Sequence, residues 1–394
     1  MTRPSKSNLV LDGGEVKMRL LAERQESKTP VHVDWVRFTI IRRNAPFVSS
    51  DILFPRSDNI WDTVTRTADI LKQLAELPGH EFEASSQAFE LAGTVAQALG
   101  HDFKVNPEVK KGHDFYKFRW CIERNGAECG WVGFLSSGDS PRQKSQNATI
   151  HCNLFGAACT FAAPGWNDRI ADIVDERDGD LTRCDLALDF FDGYEGGIES
   201  IRSDYMSGLC DSGGKRLKCN MLGDWCNDQS RSFYMGSKEA GKQTNAYEKG
   251  DQLFGPEAGS QWLRIELRYG NKLRVLSSEM LRRPADFFAG ASPWHAFALA
   301  RADYTTTARP VRTVGRLALQ TVQAEVSRTI RWTMNTAAAC VAVVIEHGPQ
   351  AFLDSFLNQK LPSRLQKFSR SEIAKGFSDC MTSLSTVESC PAFA

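Results

Sequence analysis

The sequence carries no net charge and lacks the short motifs that identify several classes of nucleotide-dependent enzyme. Its 48 Lys and Arg residues balance 48 Asp and Glu residues, so a nucleic-acid-binding surface must be a local patch and not a property of the whole chain. There is no glycine-rich Walker loop for ATP, which argues against a helicase. No repeat of twenty to fifty residues recurs, which excludes solenoids and propellers.

Paired metal-ligand motifs and long hydrophobic runs are also missing. None of the eleven cysteines forms a Cys-x-x-Cys pair, and the seven histidines form no His-x-His or His-Glu-x-x-His pair. The longest apolar run, 337–345, is too short to span a bilayer, and residues 1–7 have no apolar core for a signal peptide. We therefore expect a protein without a membrane partner, whose scattered thiols stay reduced in the cytoplasm.

What is present is enough material for a large folded protein. The chain has 394 residues, and 42% hydrophobic content supports a substantial core. The polar segment 1–29 is predicted to be a flexible leader, and alternating patterns predict strands at 31–40, 115–123, 129–135 and 149–155. Asn125-Gly126 between two of these strands is a strong hairpin signal.

The segment 230–269 concentrates residues that could carry chemistry. It reads as three strands, and on the third strand Arg264, Glu266 and Arg268 share one face because side chains alternate along a strand. On the second strand, Tyr247 lies close to Lys249. A phosphodiester-cleaving site needs a nucleophile, cations for the phosphate charge and carboxylates for a metal, and all three are present here. The alternative is a merely solvated sheet face.

A further strand, predicted at 182–191, places Asp185 and Asp189 on the face opposite its buried leucines. Two acids on such a strand are costly unless they pair with cations or bind a metal. Ion pairing with Arg264 or Arg268 is one interpretation, and metal binding with Glu266 is the other. Because positions four apart on a strand lie about 13 Å apart, only one of the two aspartates can share an ion with Glu266. The sequence leaves open which one.

The last third of the chain contains a local basic patch. Between 301 and 331, six arginines against two acids give a charge of six minus two, or +4. Arg309, Arg312 and Arg316 are candidates for DNA contacts, although a basic helix face is often only solvated. Amphipathic helices are predicted within 317–344 and 352–368, and a frayed tail is predicted after Ser369.

The order of the motifs resembles the replication initiation factor family, the rolling-circle initiators of plasmids and filamentous phages. The motifs are an early strand with Asp34-Trp35, then Arg-Cys-Asp-Leu-Ala-Leu-Asp from Arg183, Tyr-Met-Gly-Ser-Lys ending at Lys238, Ala-Tyr-Glu-Lys-Gly around Tyr247, and Trp-Leu-Arg-Ile-Glu-Leu-Arg from Trp262. The resemblance covers roughly residues 31–300. Lys238 stands where arginine is commoner, which keeps the cation but loses its bidentate fork.

The resemblance implies an α+β fold, in which helices pack on an antiparallel sheet related to that of HUH endonucleases. Residues 30–300 would form the nicking domain, and 301–394 would form a mainly helical C-terminal region with the basic segment. The implied activity is strand-specific DNA nicking and joining at an origin through a 5′-phosphotyrosyl intermediate.

The resemblance also assigns roles residue by residue. Tyr247 matches the nucleophile, and Lys249 and Arg264 match basic positions that would offset phosphate charge. The acidic positions, which would hold Mg²⁺ or Mn²⁺, are Asp185, Asp189 and Glu266. Contacts with DNA are expected from Lys238, Arg183, Arg268, Arg309, Arg312 and Arg316.

Single-stranded or supercoiled origin DNA is the implied substrate, in the cytoplasm of a bacterial host cell. A host helicase and polymerase are expected partners, and a homodimer would fit the two-fold symmetry of an origin.

Other interpretations remain open at this stage. Tyr234 and Tyr269 are rival nucleophiles, but Tyr234 is expected to pack on a hairpin and Tyr269 lies at a strand end. A metal-dependent nuclease that uses water would cleave DNA without Tyr247. A non-catalytic DNA-binding regulator of replication or transcription would depend on the basic segment 301–331 instead.

Overall fold

The structure is a computed structural model of the chain. It describes residues 13–27, 29–46, 59–65, 68, 79–140, 143, 145–212, 214–302 and 308–315, and then 322–323, 325–327, 329–330, 333, 337–350, 354, 361–362, 365–366 and 368–385. The contacts between residues divide the chain into two units, Met1–Thr313 and Val314–Ala394.

The first unit contains both strands and helices. Its strands are β1 (Val31–Ile41), β2 (Phe103–Val105), β3 (Lys110–Lys111), β4 (Tyr116–Arg124), β5 (Ala127–Ser136), β6 (Thr149–Leu154), β7 (Asp180–Phe190), β8 (Cys219–Asp224), β9 (Gln229–Ser237), β10 (Lys242–Glu248), β11 (Leu263–Gly270) and β12 (Arg274–Val275). Its helices are α1 (Gly13–Ser27), α2 (Gly79–Leu99), α3 (Gly156–Phe161), α4 (Trp166–Glu176), α5 (Gly197–Met206), α6 (Lys249–Phe254), α7 (Glu279–Arg282), α8 (Pro284–Ala289) and α9 (Pro293–Ala302). Short 3-10 turns lie at Arg42–Asn44, Ser145–Ala148 and Pro256–Ala258.

Eleven of these strands form one antiparallel sheet. The strand order is β2-β4-β5-β6-β1-β7-β11-β10-β9-β8, and β3 also pairs with β4. Strand β7 therefore lies near the middle, between β1 and β11. The α+β fold class, with helices packed on a large antiparallel sheet, is confirmed.

The two faces of the sheet differ because alternate residues of each strand point to opposite sides. Helices cover the apolar face, with α2 against β4 and β5, α5 against β9 and β10, α8 against β1, and α9 against β7. Side chains of this face are buried in one continuous core that includes Phe38, Val132, Leu186, Leu188 and Ile265. The opposite face carries the polar side chains of β1, β7, β10 and β11.

The predicted turn between β4 and β5 has the backbone that its residues favour. Asn125 and Gly126 both adopt positive φ, at 52° and 75°. A two-residue turn of this kind matches the right-handed twist of the strands that it joins. The strands predicted at 115–123 and 129–135 are thus confirmed as a hairpin.

Helix α1 occupies residues 13–27 of the segment predicted to be a flexible leader, and here the structure differs from that prediction. The helix is strongly polar, but Val16 and Leu20 are one turn apart and are both buried in the core of the first unit. Arg24 donates a hydrogen bond of 2.8 Å to the backbone oxygen of Asp189. Two apolar residues are too weak a periodic pattern to predict a helix, and the long-range hydrogen bond cannot be read from the sequence.

The described part of the second unit contains β13 (Val314–Gly315), α10 (Ala338–His347) and α11 (Arg370–Ser385). Its buried core consists of Val322, Val326, Leu365 and Ile373. Helix α11 lies where the sequence predicts a frayed tail, and that prediction is wrong because Ile373 packs into this core. Among the described residues of the chain, no helix is both long and apolar enough to cross a membrane.

Candidate functional site

Antiparallel pairing of β7, β11 and β10 places the polar residues of these strands side by side. Asp189 of β7 lies opposite Arg264 of β11, and Asp185 lies opposite Arg268. Tyr247 of β10 lies opposite the same Arg264, on its other side. Directly paired residues point to the same face of a sheet, so these acids, arginines and the tyrosine share the polar face of the sheet.

Arg264 and Asp189 form a buried ion pair at the centre of the site. Their side chains are 2% and 0% exposed, and the guanidinium donates two hydrogen bonds to the carboxylate, at 2.8 and 3.0 Å. Trp262 adds a third donor, with 2.5 Å between its Nε1 and Asp189 Oδ1. Burial alone would raise the pKa of Asp189, but the charge of Arg264 and these hydrogen bonds lower it below its ordinary value.

A β-bulge in β1 brings a further acid into this pair. The register between β1 and β7 shifts between Val33 and Trp35, so Asp34 is the extra residue on β1. Its carboxylate accepts a 2.6 Å hydrogen bond from Arg264 and lies 3.8 Å from His32 Nε2. Although burial opposes it, the charge of Arg264 holds the pKa of Asp34 far below its usual range.

Asp34 was not predicted as a site residue. The sequence signal was the Asp34-Trp35 pair that contributes to the family resemblance, but alternation alone does not reveal a bulge.

Asp185 is held by two arginines. Arg183 contacts it from the same strand, with its Nε 2.9 Å from Asp185 Oδ1. Arg268 donates a 3.1 Å hydrogen bond to Asp185 and a 3.2 Å hydrogen bond to Glu266. Of the two interpretations that the sequence left open, the structure therefore shows ion pairing for both aspartates of β7.

The three acids predicted as metal ligands do not fit a shared metal site. Asp185 and Asp189 each face an arginine across the β7–β11 ladder, so their charges are already balanced and their oxygens are occupied. Within the part of the chain that the structure describes, no group of three or more His, Cys, Asp or Glu residues is arranged to hold a metal ion. In this structure Asp185, Asp189 and Glu266 form an ion-pair network with Arg264 and Arg268, and the Mg²⁺ or Mn²⁺ site expected at these acids stays a prediction.

Tyr247 and Glu266 meet above the buried pair. The Tyr247 hydroxyl lies 3.5 Å from Glu266 Oε2, which is a long hydrogen bond. Burial, together with the negative charges of Asp34 and Asp185, raises the pKa of Glu266 to about 7. Burial also raises the pKa of Tyr247 well above its ordinary value, while the charge of Arg264 opposes that rise.

Lys249 supplies a cation beside the tyrosine. Its ammonium lies 5.7 Å from the centre of the Tyr247 ring and donates a 2.8 Å hydrogen bond to Gln252. Burial and repulsion by Arg264 lower the pKa of Lys249 to about 8. Glu266 and Lys249 therefore both titrate near neutral pH, where proton transfer is most effective.

Tyr247 and Glu266 border an open cleft of about 580 Å³, here named the Tyr247 cleft. Its lining includes Arg231, Tyr234, Lys238, Asn245, Tyr247 and Glu266. Tyr234 was expected to pack on the hairpin, but it faces this cleft because it pairs with Asn245 on the polar face. Tyr269 is buried on the opposite face, where its hydroxyl donates a 3.0 Å hydrogen bond to the backbone oxygen of Phe287.

The predicted DNA contacts separate into two groups. Lys238, Arg183 and Arg268 line a second pocket on the same face of the sheet. Arg309 and Arg312 are exposed in the segment that precedes Val314. Arg316 lies outside the described residues.

Fold and site together describe an α+β protein with a tyrosine, a titratable acid and several arginines on the open face of an antiparallel sheet. Residues 179–359 match the family model described as replication initiation factor. The resemblance to that family is thereby confirmed for the segment that contains β7, β10 and β11.

Among solved structures, a rolling circle replication initiator protein from Geobacillus stearothermophilus is similar to this chain. The two sequences are 17% identical, the match covers 61% of this chain and 74% of that chain, and the TM-score is 0.37. No curated protein matches the chain.

Proposed function

We propose that this protein is a rolling-circle replication initiator that nicks and rejoins one DNA strand at an origin, with Tyr247 as the nucleophile. The observation that carries the proposal is the contact of the Tyr247 hydroxyl with Glu266 in an open, arginine-lined cleft. The family match over residues 179–359, which includes this cleft, supports it.

In the proposed step, the Tyr247 oxygen forms a bond to phosphorus and the bond from phosphorus to the 3′ oxygen breaks. Glu266 accepts the phenol proton, and Lys249 donates a proton to the leaving oxygen. The products are a 5′-phosphotyrosyl link and a free 3′-hydroxyl. Attack by a 3′-hydroxyl reverses the step and rejoins the strand, because the covalent link keeps the bond energy without ATP.

Arg264 has a different role from the phosphate contact predicted for it. Its three donor groups are taken by Asp189 and Asp34, and its side chain is 2% exposed. It therefore favours the anionic form of Tyr247 through its charge, as a positioning residue below the cleft. Arg268 and Lys238 line the cleft and are the residues that would face the phosphate.

Origin DNA in a single-stranded or supercoiled state is the substrate that this chemistry suits, because the cleft is open and polar. A host polymerase would extend the released 3′-hydroxyl, and a host helicase would separate the strands. These partners, a homodimer and dependence on Mg²⁺ or Mn²⁺ remain predictions from the family resemblance. Chelation with EDTA during the cleavage assay tests the last of them.

The nucleophile is tested with a labelled single-stranded library of origin sequences, followed by a denaturing gel. We expect a DNA-linked protein band for the wild type and for Tyr234→Phe, which removes the other cleft-facing hydroxyl. Tyr247→Phe should form no such band. Cleavage without a linked band, unchanged in Tyr247→Phe, would indicate a nuclease that uses water. Tight binding without cleavage in every variant would indicate the non-catalytic regulator.

A further inference from the structure

A second pocket, here named the Arg37 pocket, lies beside the Tyr247 cleft on the open face of the sheet. It encloses about 440 Å³, and Lys238 and Arg268 line both spaces. Its walls come from β1, β6, β7, β10 and β11, so it lies where the centre of the sheet meets the cleft. A chain that occupied the cleft could therefore continue into this pocket along one surface.

The lining of the Arg37 pocket is strongly cationic. Four of its lining side chains are basic, namely Arg37, Arg183, Lys238 and Arg268, whereas Asp114 is the one acid among the described lining residues. Arg37 and Arg183 lie directly opposite each other on β1 and β7. Like charges at paired positions destabilise a sheet, and here Asp114 and Asp185 offset part of that repulsion.

Ion pairs balance part of this positive charge, because Asp185 contacts both Arg183 and Arg268. Burial, together with repulsion by Arg183 and Arg268, lowers the pKa of Arg37 although it contacts Asp114 at 2.9 Å.

The guanidinium groups are held in fixed positions. The Arg183 guanidinium stacks 4.4 Å above the ring of Trp35, whose indole nitrogen donates a 2.8 Å hydrogen bond to Asn153. The same Asn153 oxygen accepts a 3.1 Å bond from Arg37 Nε. A rigid, planar guanidinium can bind two oxygens of a phosphate at once.

A polar group in the wall also lacks a partner. The Thr182 hydroxyl is buried, and no hydrogen-bond partner for it is found among the described residues. Buried hydroxyl groups are nearly always hydrogen-bonded, so this one fits a site that a ligand oxygen completes.

We propose that the Arg37 pocket is a second phosphate subsite, which holds a phosphodiester of the single DNA strand whose scissile phosphate lies in the Tyr247 cleft. This inference rests on the proposed function, because it takes the occupant to be the same strand. Arg37 and Arg183 contribute the charge, and Lys238 and Arg268 connect the two sites. The subsite fixes the strand so that only one phosphate can reach Tyr247.

Binding is tested by fluorescence anisotropy with a fluorescein-labelled single-stranded oligonucleotide of mixed sequence. All measurements use the Tyr247→Phe background, so that no covalent link can form. Adding Arg37→Gln should weaken binding about tenfold. It should also lower the slope of log affinity against log salt by about 0.7, since one phosphate contact is lost. Arg37→Lys should keep the slope of log affinity against log salt, because it retains the positive charge. It should bind more weakly, because lysine lacks the guanidinium that can contact two phosphate oxygens at once.

Arg202→Gln is the matched control, because Arg202 lies on α5, which packs against the apolar face of the sheet. It removes the same charge and should change neither affinity nor slope. Equal behaviour of the Arg37→Gln and Arg202→Gln proteins would overturn the subsite. Competition by inorganic phosphate, at constant ionic strength, should weaken binding of the oligonucleotide to the Arg37 protein and have less effect on Arg37→Gln, and equal competition in both proteins would contradict the subsite. Failure of Tyr247 to form an adduct would leave these binding results intact and would remove only the nicking mechanism.

Discussion

Arg264 connects the buried and the reactive parts of the site. Its guanidinium contacts Asp189 and Asp34 beneath the sheet surface, and its charge acts on Tyr247 at the surface. A buried ion pair of this kind adds little net stability compared with a hydrophobic pair, but loss of one partner leaves an uncompensated charge. The main consequence of the pair is therefore that the positive charge of Arg264 is held in a fixed position next to Tyr247.

Substitution of Asp189 by alanine tests this description of the buried pair. Asp189→Ala leaves the Arg264 guanidinium and the Trp262 indole nitrogen without their shared acceptor. We expect the free energy of unfolding to fall by about 3–5 kcal/mol in urea denaturation. Asp192→Ala, at a fully exposed position nearby, should change it by no more than about 0.5 kcal/mol. Equal losses in the two variants would contradict a buried ion pair.

The titration of Glu266 and Lys249 predicts a bell-shaped pH profile for nicking. Glu266 must be deprotonated to accept the Tyr247 proton, so the rate should rise as the pH increases through about 7. Lys249 must be protonated to donate, so the rate should fall as the pH increases beyond about 8. The profile is measured from single-turnover formation of the DNA-linked band.

Glu266→Gln is the variant that assigns the acidic limb. It should slow nicking by about 10²–10⁴-fold and remove the rise near pH 7, because the amide cannot accept the proton. A Glu266→Gln protein that keeps the acidic limb would show that another group titrates there.

At the scale of elements, the sequence predicted where the strands lie but not how they pair with one another. The alternation on β7 and β11 correctly placed Asp185, Asp189 and Glu266 on a polar face. The pairing of Asp189 with Arg264 depends on register between strands more than seventy residues apart, and the sequence could offer it only as one of two interpretations. The bulge at Asp34 was missed because an extra residue leaves the period-two pattern almost unchanged.

Two hairpin glycines provide a prediction at this scale. Gly126 and Gly236 both have positive φ, but a Cβ on Gly236 would lie 2.7 Å from the Lys242 backbone oxygen, whereas one on Gly126 would meet nothing within 4 Å. Gly126→Ala should cost about 1–2 kcal/mol of unfolding free energy from its backbone conformation alone. Gly236→Ala should cost more and should also slow nicking, because it displaces the hairpin that carries Tyr234 and Lys238. Equal costs in thermal unfolding would contradict the close backbone approach.

At the scale of the molecule, the two faces of one sheet differ in what they carry. Its apolar face carries the helices and the core, and its polar face is left open for the Tyr247 cleft and the Arg37 pocket. Zero net charge did not reveal this arrangement, because acids within the sites, such as Asp185 and Glu266, and acids elsewhere in the chain balance the basic residues. Composition reports only the sum of charges, and the local excess exists only after β1, β7 and β11 have paired.

The central claim is that Tyr247 forms the covalent link, and peptide mapping of the adduct tests it most directly. Wild-type protein is reacted with a short single-stranded origin substrate, digested with nuclease and trypsin, and analysed by mass spectrometry. Trypsin places Tyr247 in the peptide 243–249 and Tyr234 in the separate peptide 232–238. We expect a nucleotide phosphate on Tyr247 in the peptide 243–249. A modification confined to 232–238, or cleaved DNA with no modified peptide, would contradict the account.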